Sequence, residues 1–447
     1  MTDKPPYRVP SMEEIRALSW NGFNAVSTFS GCGGSSLGYR MAGFRMLWAS
    51  EFVPAAQDTY RANAAPHTVL DTRDIREVKG QDVLDACGLG VGEIDLFDGS
   101  PPCASFSTAG KREAGWGQVK KYSDTQQRTD DLFFEYARLI EETQPRVFVA
   151  ENVAGLVRGT AKGYFKLILA RLRACGYRVS ARVLDASWLG VPQSRNRLIF
   201  VGVREDLGMD PVHPGPLPYQ YTVRDALPWI LAQGDNGGFG GGSMRAADQP
   251  SPTIGADPGT GNGNFPPSRV IAEPRVFHDT SGQFSAGDVT DKPSPAITVG
   301  GTATSACHYQ VRGEAEPVTH DPETGQALSI KGYAIGDDWE KLRPGEKSQR
   351  YFHVRRQHPD RPYDTVMAAQ GQGGPGFTGP THWTEARKLT LQELRAIGGF
   401  PADFVLTGTY AQRWERIGRA VPPVMMSHIA ATVRDRILVP LREAGAI

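Results

Sequence analysis

Cysteine is scarce in this chain: five residues in 447, at positions 32, 87, 103, 175 and 307. Their number is odd and no spacing suits a metal-ligand set. We therefore expect no metal, no disulfide framework, and free thiols in a reducing compartment, the cytoplasm. Long apolar runs are also missing, which argues against a membrane-spanning helix and a membrane partner. The segment Met1 to Pro6 has no signal-peptide pattern. A surplus of charge is absent too, since 49 Lys and Arg balance 49 Asp and Glu. A zero sum neither supports nor excludes a nucleic-acid partner, because local clustering decides that question.

What is present suits a globular protein with a sizeable core: 40% hydrophobic and 22% charged residues. The length exceeds one typical domain, so two are expected. Residues 1–203 alternate strand-like and helix-like patterns. Strands are predicted at Ala25–Phe29, Met46–Ala49, Ile94–Phe97, Val147–Ala150, Val179–Leu184 and Leu198–Val203, and helices at 131–143 and 164–174. This rhythm predicts an α/β fold, a Rossmann-like, mostly parallel sheet with helices on both faces. Composition changes after residue 204, with ten glycines between 234 and 263. Helical patterning returns at Thr390, which with Glu393 has capping-box form, and a last helix is predicted from about Pro423 to Leu438. The simplest organisation is an α/β domain (1–203), interrupted by a smaller, irregular, β-rich one (204–384) and completed by 385–447.

Several motifs fall at predicted strand ends, where open α/β sheets gather their ligand groups. Phe29-Ser30-Gly31-Cys32-Gly33-Gly34 is a glycine-rich turn leading into a helix, suited to close backbone approach of a ligand. Glu51 ends the next strand, where an acid can accept hydrogen bonds from a ribose diol. Asp74 ends a third segment and suits an adenine amino group. Beyond Phe97, the run Gly99-Ser100-Pro101-Pro102-Cys103 holds a cysteine behind two stiffening prolines, as a presented nucleophile would be. Taken alone, such a cysteine is more often a small buried hydrophobe. Glu151 follows an apolar strand, so desolvation favours its protonated form. Arg195 and Arg197 precede another strand, and alternation predicts a same-sided fork for carbonyl or phosphate oxygens. Two basic clusters stand out: Lys111–Arg128, five bases against two acids, and Lys341–Arg356, six against one. Both suit phosphate contact.

Together these segments resemble the cytosine-5 DNA methyltransferase family. The resemblance rests on Phe-x-Gly-x-Gly-Gly at 29–34, Pro-Cys-x-x-Phe-Ser at 102–107, Glu-Asn-Val at 151–153 and Gln-x-Arg-x-Arg at 193–197. Arg387-Lys388-Leu389-Thr390 through Gly399-Phe400-Pro401, and Gly418-Arg419-Ala420-Val421-Pro422-Pro423, complete it. The order is kept across nearly the whole chain. One departure is Arg419, where the family usually has asparagine; a changed alkyl donor is one meaning it could carry.

The resemblance implies S-adenosylmethionine as cofactor, with S-adenosylhomocysteine as product. It implies a pocket of Phe29, Gly31, Gly33, Gly34, Glu51, Phe52, Asp74, Ile75, Leu132 and Ala420. It implies catalysis by Cys103, Glu151, Arg195 and Arg197 on a cytosine flipped out of double-stranded DNA. Residues 204–384 become the target-recognition domain. Ser107, Lys111 and Arg112, in a loop over residues 107–129, and Arg355, Arg356, Gln357 and Thr365 become DNA contacts. Thr253-Ile254 and Thr298-Val299 compete with Thr365-Val366 for the family's Thr-hydrophobic step. A monomer, and pairing with a restriction endonuclease, are further expectations. The alternatives are an RNA (tRNA) cytosine-5 methyltransferase, which the long insert argues against, and a silent DNA-binding regulator, which the retained Cys103, Glu151, Arg195 and Arg197 argue against.

Overall fold

The computed structural model describes residues 4–102, 131–158, 161–227, 318–351, 354–368 and 380–447, together with four short strands at 120–122, 125–127, 276–277 and 310–311. The chain divides into two compact units: Met1–Ala226 with His320–Ile447, and Leu227–Thr319. The segment 204–384 runs through both. Most of the second unit, including Thr253-Ile254 and Thr298-Val299, lies outside the described residues.

The first unit is built on seven strands. These are β1 (Asn24–Thr28), β2 (Arg45–Ser50), β3 (Val69–Asp71), β4 (Leu96–Gly99), β7 (Val147–Val153), β8 (Tyr177–Asp185) and β9 (Asn196–Arg204). A separate hairpin, β5 (Lys120–Tyr122) and β6 (Thr125–Gln127), is antiparallel. The sheet order is β3-β2-β1-β4-β7-β9-β8. β3, β2, β1, β4 and β7 run parallel, while β9 is antiparallel to both β7 and β8. The sheet is therefore mostly parallel. Its exception has a simple cause: β8 and β9 are joined by a short link with no crossover helix, which permits only an antiparallel return.

Alternation along each strand feeds two cores. Phe148 and Ala150 join Val26, Phe97, Phe133, Tyr136 and Phe200 on one face. Val147 and Val149 join Met46, Leu96, Val201, Met425, Met426 and Ile429 on the other. The first face is covered by α5 (Leu132–Thr143) and α6 (Ala161–Ala174), the second by α2 (Gly34–Met41) and α11 (Pro423–Val433). Burying each such large apolar side chain contributes about 1.5–3 kcal/mol.

Several element ends differ from expectation. β4 starts at Leu96, two residues late, because the Asp95 side chain accepts from Asn24 N at 2.7 Å and pairs with Arg146. β7 runs on to Val153 because β9 pairs with it to that point. α11 stops at Val433, followed by a π turn, Arg434–Leu438, and a short helix, Val439–Glu443. Pro440 has no N–H for a regular helical bond, and the wider turn sits just before it. Inside the sheet, Asp98 of β4 accepts hydrogen bonds from Ser27 Oγ at 2.7 Å and Tyr39 OH at 3.0 Å.

Candidate functional site

A cavity of about 660 Å³ opens at the carboxyl ends of β1, β2, β4 and β7. Its volume is in the range of sites that enclose a small molecule. The expected donor residues Phe29, Gly31, Gly34, Glu51, Phe52, Asp74, Ile75, Leu132 and Ala420 all line it. Gly33 does not; it sits behind the wall, facing the Tyr60 ring.

The turn after β1 explains why this end is shaped by backbone. Phe29 has φ 53°, Gly31 φ 56° and Gly33 φ 92°. The left-handed conformation is natural for glycine and strained for phenylalanine, and such strain clusters at ligand sites. A Cβ on Gly31 would meet nothing within 4 Å, so the turn leaves open room beside the cavity. Gly34 serves packing instead: a Cβ there would stand 2.4 Å from Val421 O. Glu51 ties the turn to β2, since its carboxylate accepts from Gly31 N and Val53 N, both at 2.7 Å. Burial raises the Glu51 pKa, while those N–H groups and the Arg416 charge pull it down. A carboxylate has about four acceptor positions, so these bonds leave room for a ligand hydroxyl. Asp74 is bonded by Arg76 Nη1 at 3.0 Å, and Arg76 in turn reaches Asp131 at 2.7 Å.

The opposite end is built from charge. Ser100, Pro101, Pro102, Glu151, Arg195, Arg197 and Thr365 line it. Pro102 is the last described residue before Cys103. Cys103, Ser107, Lys111 and Arg112 lie outside the described residues. Pro101 O accepts from Asn152 Nδ2 at 3.2 Å, which fixes the end of the β4 segment against β7. Glu151 stands within β7 rather than after it, opposite Ile199, while Arg197 of β9 stands opposite Val153. That diagonal brings the two side chains together, with Arg197 Nε 2.7 Å from Glu151 Oε1. Both are nearly buried. Burial lifts the Glu151 carboxyl above its ordinary range, opposed by Arg197, Arg195 and Ser100. Burial also lowers the Arg197 pKa, opposed by Glu151. A carboxyl biased toward its protonated form, beside a guanidinium, can hold a ring nitrogen and its neighbouring carbonyl.

Arg195 and Arg197 do not form a fork. The Arg195 guanidinium donates to Val366 O at 2.7 Å, Gly418 O at 2.8 Å and Ala420 O at 2.9 Å. The expected DNA contacts are also largely occupied. Gln357 is buried and exchanges hydrogen bonds with Asp364. Arg356 donates to Trp383 O and Leu342 O and lies 4.3 Å from the centre of the Trp339 ring. Arg355 pairs with Asp364 at 3.0 Å and stays 40% exposed. Thr365 Oγ1 donates to Ser194 O at 2.6 Å. Arg419 lines the cavity and pairs with Glu415 at 2.7 Å.

Ser100 and Asn152 also shape this end, and sequence reasoning assigns them no role. Asn152 had a usable signal, an amide buried inside a strand, where asparagine is depleted. Among the described residues no group of three His, Cys, Asp or Glu could hold a metal ion, and no helix is long and apolar enough to cross a membrane.

A profile of the C-5 cytosine-specific DNA methylase family matches residues 23–233 and 284–435. The chain is 27% identical over 409 residues to the Type II methyltransferase M.NgoFVII of Neisseria gonorrhoeae, covering 91% of this chain and 85% of that protein. It is 28% identical over 411 residues to the Type II methyltransferase M1.HphI of Haemophilus parahaemolyticus, covering 91% and 86%. Its fold is similar to that of a crystal structure of a prophage-encoded DNA modification methyltransferase from E. coli, with TM-score 0.58, 19% identity, and coverage of 93% and 100%. Spodoptera frugiperda DNMT2 is similar in fold as well, with TM-score 0.52, 14% identity, and coverage of 91% and 98%.

Proposed function

This chain belongs to the C-5 cytosine-specific DNA methylase family, and on that premise we propose how it works: it methylates C5 of a cytosine flipped out of double-stranded DNA, using S-adenosylmethionine. That it is a DNA (cytosine-5-)-methyltransferase follows from the family and from its Type II methyltransferase relatives. The observation that carries the finer reading is the single cavity joining Glu51 to Glu151 and Arg197.

The residues at the Glu51 end fit the donor. Glu51 would hold the ribose hydroxyls, Asp74 would face the adenine, and Phe29, Ile75 and Leu132 would supply apolar walls. The open side of Gly31 is room that a side chain would fill. When bound, S-adenosylmethionine supplies an electrophilic methyl group on a sulfonium.

This chain's residues would do the rest. Cytosine C5 is a weak nucleophile in the intact ring. The Cys103 thiolate adds to C6, breaking aromaticity and loading electron density onto C5. Glu151 protonates N3 and stabilises the charge that addition creates. Arg197 holds the cytosine O2 and the ionised Glu151 in turn. C5 then takes the methyl group. Loss of the C5 proton to solvent expels the Cys103 thiolate, restores the ring and returns the N3 proton to Glu151. A stacked base cannot reach this site, so it must leave the duplex.

The segment 204–384, with residues 107–129, would recognise the target. The same reading gives a cytoplasmic monomer that acts on DNA, with a restriction endonuclease as its functional counterpart. Bisulfite sequencing of plasmid from an expressing host tests it. Protection of cytosines at one sequence is expected; full conversion despite folded protein would overturn it. DNA with 5-fluorocytosine at the target should trap the protein covalently, because no C5 proton can leave. Equal trapping of Cys103→Ala would remove Cys103 from the mechanism.

A further inference from the structure

The stretch Gly418–Val421, which leads into α11, runs along the cavity wall from one end toward the other. Gly418 O and Ala420 O accept from Arg195 at 2.8 and 2.9 Å, and the Arg195 charge acts on Glu151 and Arg197. Ala420 and Val421 pack on the glycine turn of the Glu51 end: a Cβ on Gly34 would stand 3.1 Å from Ala420 Cβ and 2.4 Å from Val421 O. Gly418 is pressed on segment 363–368 too, where a Cβ would fall 2.7 Å from Ala368 N, so the backbone has little room to shift. Arg419 sits between these anchors and lines the cavity. The carbon being transferred must lie between the donor sulfur and cytosine C5, and this is the wall that flanks it.

Arg419 Nε donates to Glu415 Oε1 at 2.7 Å, and the side chain is 34% exposed. Arg416 is buried, lines the same cavity, pairs with the same Glu415 at 3.4 Å and acts on Glu51. Two guanidiniums thus share Glu415. Among the described residues, six arginines and three carboxylates line the cavity. Other lining arginines are answered locally: Arg197 by Glu151, Arg73 by Asp71 and Asp82, and Arg195 by backbone oxygens. S-adenosylmethionine would bring one more cation to this wall, because its methyl group hangs on a sulfonium. Like charges repel strongly where water is excluded, and a guanidinium fork is matched to a carboxylate. A carboxylate on the transferred carbon would stand between the two cations and attract both.

We propose that Arg419 fits the site to an anionic donor, an S-adenosylmethionine whose transferable carbon carries a carboxylate, so that the protein also transfers a carboxymethyl group to cytosine C5. This rests on the function proposed above. The step is the same substitution. The C5 electron pair bonds to the donor CH2 carbon. The C–S bond breaks with its pair left on sulfur, giving S-adenosylhomocysteine. The carboxylate is carried over unchanged, the C5 proton leaves to solvent, and the Cys103 thiolate is expelled. Arg419 holds the carboxylate and makes no bond to a reacting atom.

The test compares two donors, S-adenosylmethionine and S-adenosylhomocysteine bearing a carboxymethyl group on sulfur. Each is titrated calorimetrically, without DNA, into wild-type protein and Arg419→Asn. Wild type should bind the carboxylated donor about 10- to 100-fold more tightly, the range of one charge-assisted pair. In Arg419→Asn that ratio should fall to within about 3-fold. Equal wild-type affinities overturn the proposal, and that measurement needs no variant. If Arg419 holds the amino-acid carboxylate common to both donors, the variant weakens both alike and keeps the ratio. If it holds a DNA phosphate, the variant leaves both affinities alone and weakens duplex binding. Either result overturns the proposal. Plasmid DNA incubated with wild type and the carboxylated donor should yield 5-carboxymethylcytosine by mass spectrometry of its nucleosides. Methylation from S-adenosylmethionine with no carboxymethyl product overturns the proposal alone. Wild-type protein that transfers from neither donor overturns the functional reading beneath it.

Discussion

At the Glu51 end of the cavity the walls are a glycine turn, backbone N–H groups, apolar side chains and a carboxylate bonded to backbone. At the Glu151 end they are buried charges. The sheet explains the contrast. Parallel strands bring only their carboxyl ends to this rim, and the turn that leaves β1 there is shaped by φ values near 53°, 56° and 92°. The antiparallel β9 instead brings its starting end to the finishing end of β7. A carboxylate and a guanidinium from opposite chain directions thereby meet at 2.7 Å. Backbone suits a ligand that needs shape and hydroxyl acceptors. Paired charge suits a group that must exchange a proton.

The sharpest way to break this contrast is Glu151→Gln. Loss of the proton donor should cut kcat by about 100- to 10,000-fold. S-adenosylhomocysteine affinity should stay unchanged, because the other end is intact. Weakened product binding of the same size would show that the two ends do not have separate tasks.

A second prediction contrasts Glu151 with Asp98, its buried neighbour one strand away, whose partners are hydroxyls rather than cations. Burial pushes Asp98 up to about 7, helped by the Glu151 charge and opposed by Ser27 and Tyr39. Between its ordinary 3.8 and about 7 the folded state keeps a proton that the unfolded chain has lost. Stability therefore falls as pH rises through that window, by at most about 4 kcal/mol. Asp98→Asn cannot titrate, so denaturant unfolding should find its stability relative to wild type improving from pH 4 to 7. Parallel curves would refute the shift.

The smallest effect is expected from Glu51→Gln. Losing a charged acceptor should weaken S-adenosylhomocysteine by about 10- to 100-fold, the equivalent of about 1.5–3 kcal/mol. At saturating donor, kcat should change little. A collapse of kcat instead would mean that the glycine turn, held by Glu51 at Gly31 and Val53, also shapes the opposite end.

Much of this was legible in sequence, for local reasons. Short apolar runs rich in β-branched and aromatic residues, such as Val147–Ala150 and Leu198–Val203, read as buried strands, and the spacing of Leu132, Phe133, Tyr136 and Ile140 reads as one helix face. The parallel run of most strands was legible in the alternation of strands and helices; the reversal at β9 was not, since an apolar run carries no sign of its own direction. Arg195 shows a deeper limit. Alternation predicts which side it leaves the chain, but its acceptors at Val366, Gly418 and Ala420 are more than 170 residues away. Gln357 and Arg356, expected as DNA contacts, have protein partners for a related reason. The partners that occupy them, Asp364, Trp383 and Leu342, are brought near by folding rather than by composition.

The cover that α11 places over Val149, Val201 and Met46 has a bearing on how the protein is made. The sheet is complete once β9 has left the ribosome at Arg204, yet that cover is not synthesised until residues 423–433. At about 5–20 residues per second, the gap lasts on the order of ten seconds to a minute. Throughout it, the part of that apolar face beneath α11 stays bare to solvent. A growing chain of this kind has good reason to meet a holding chaperone before it ever meets DNA.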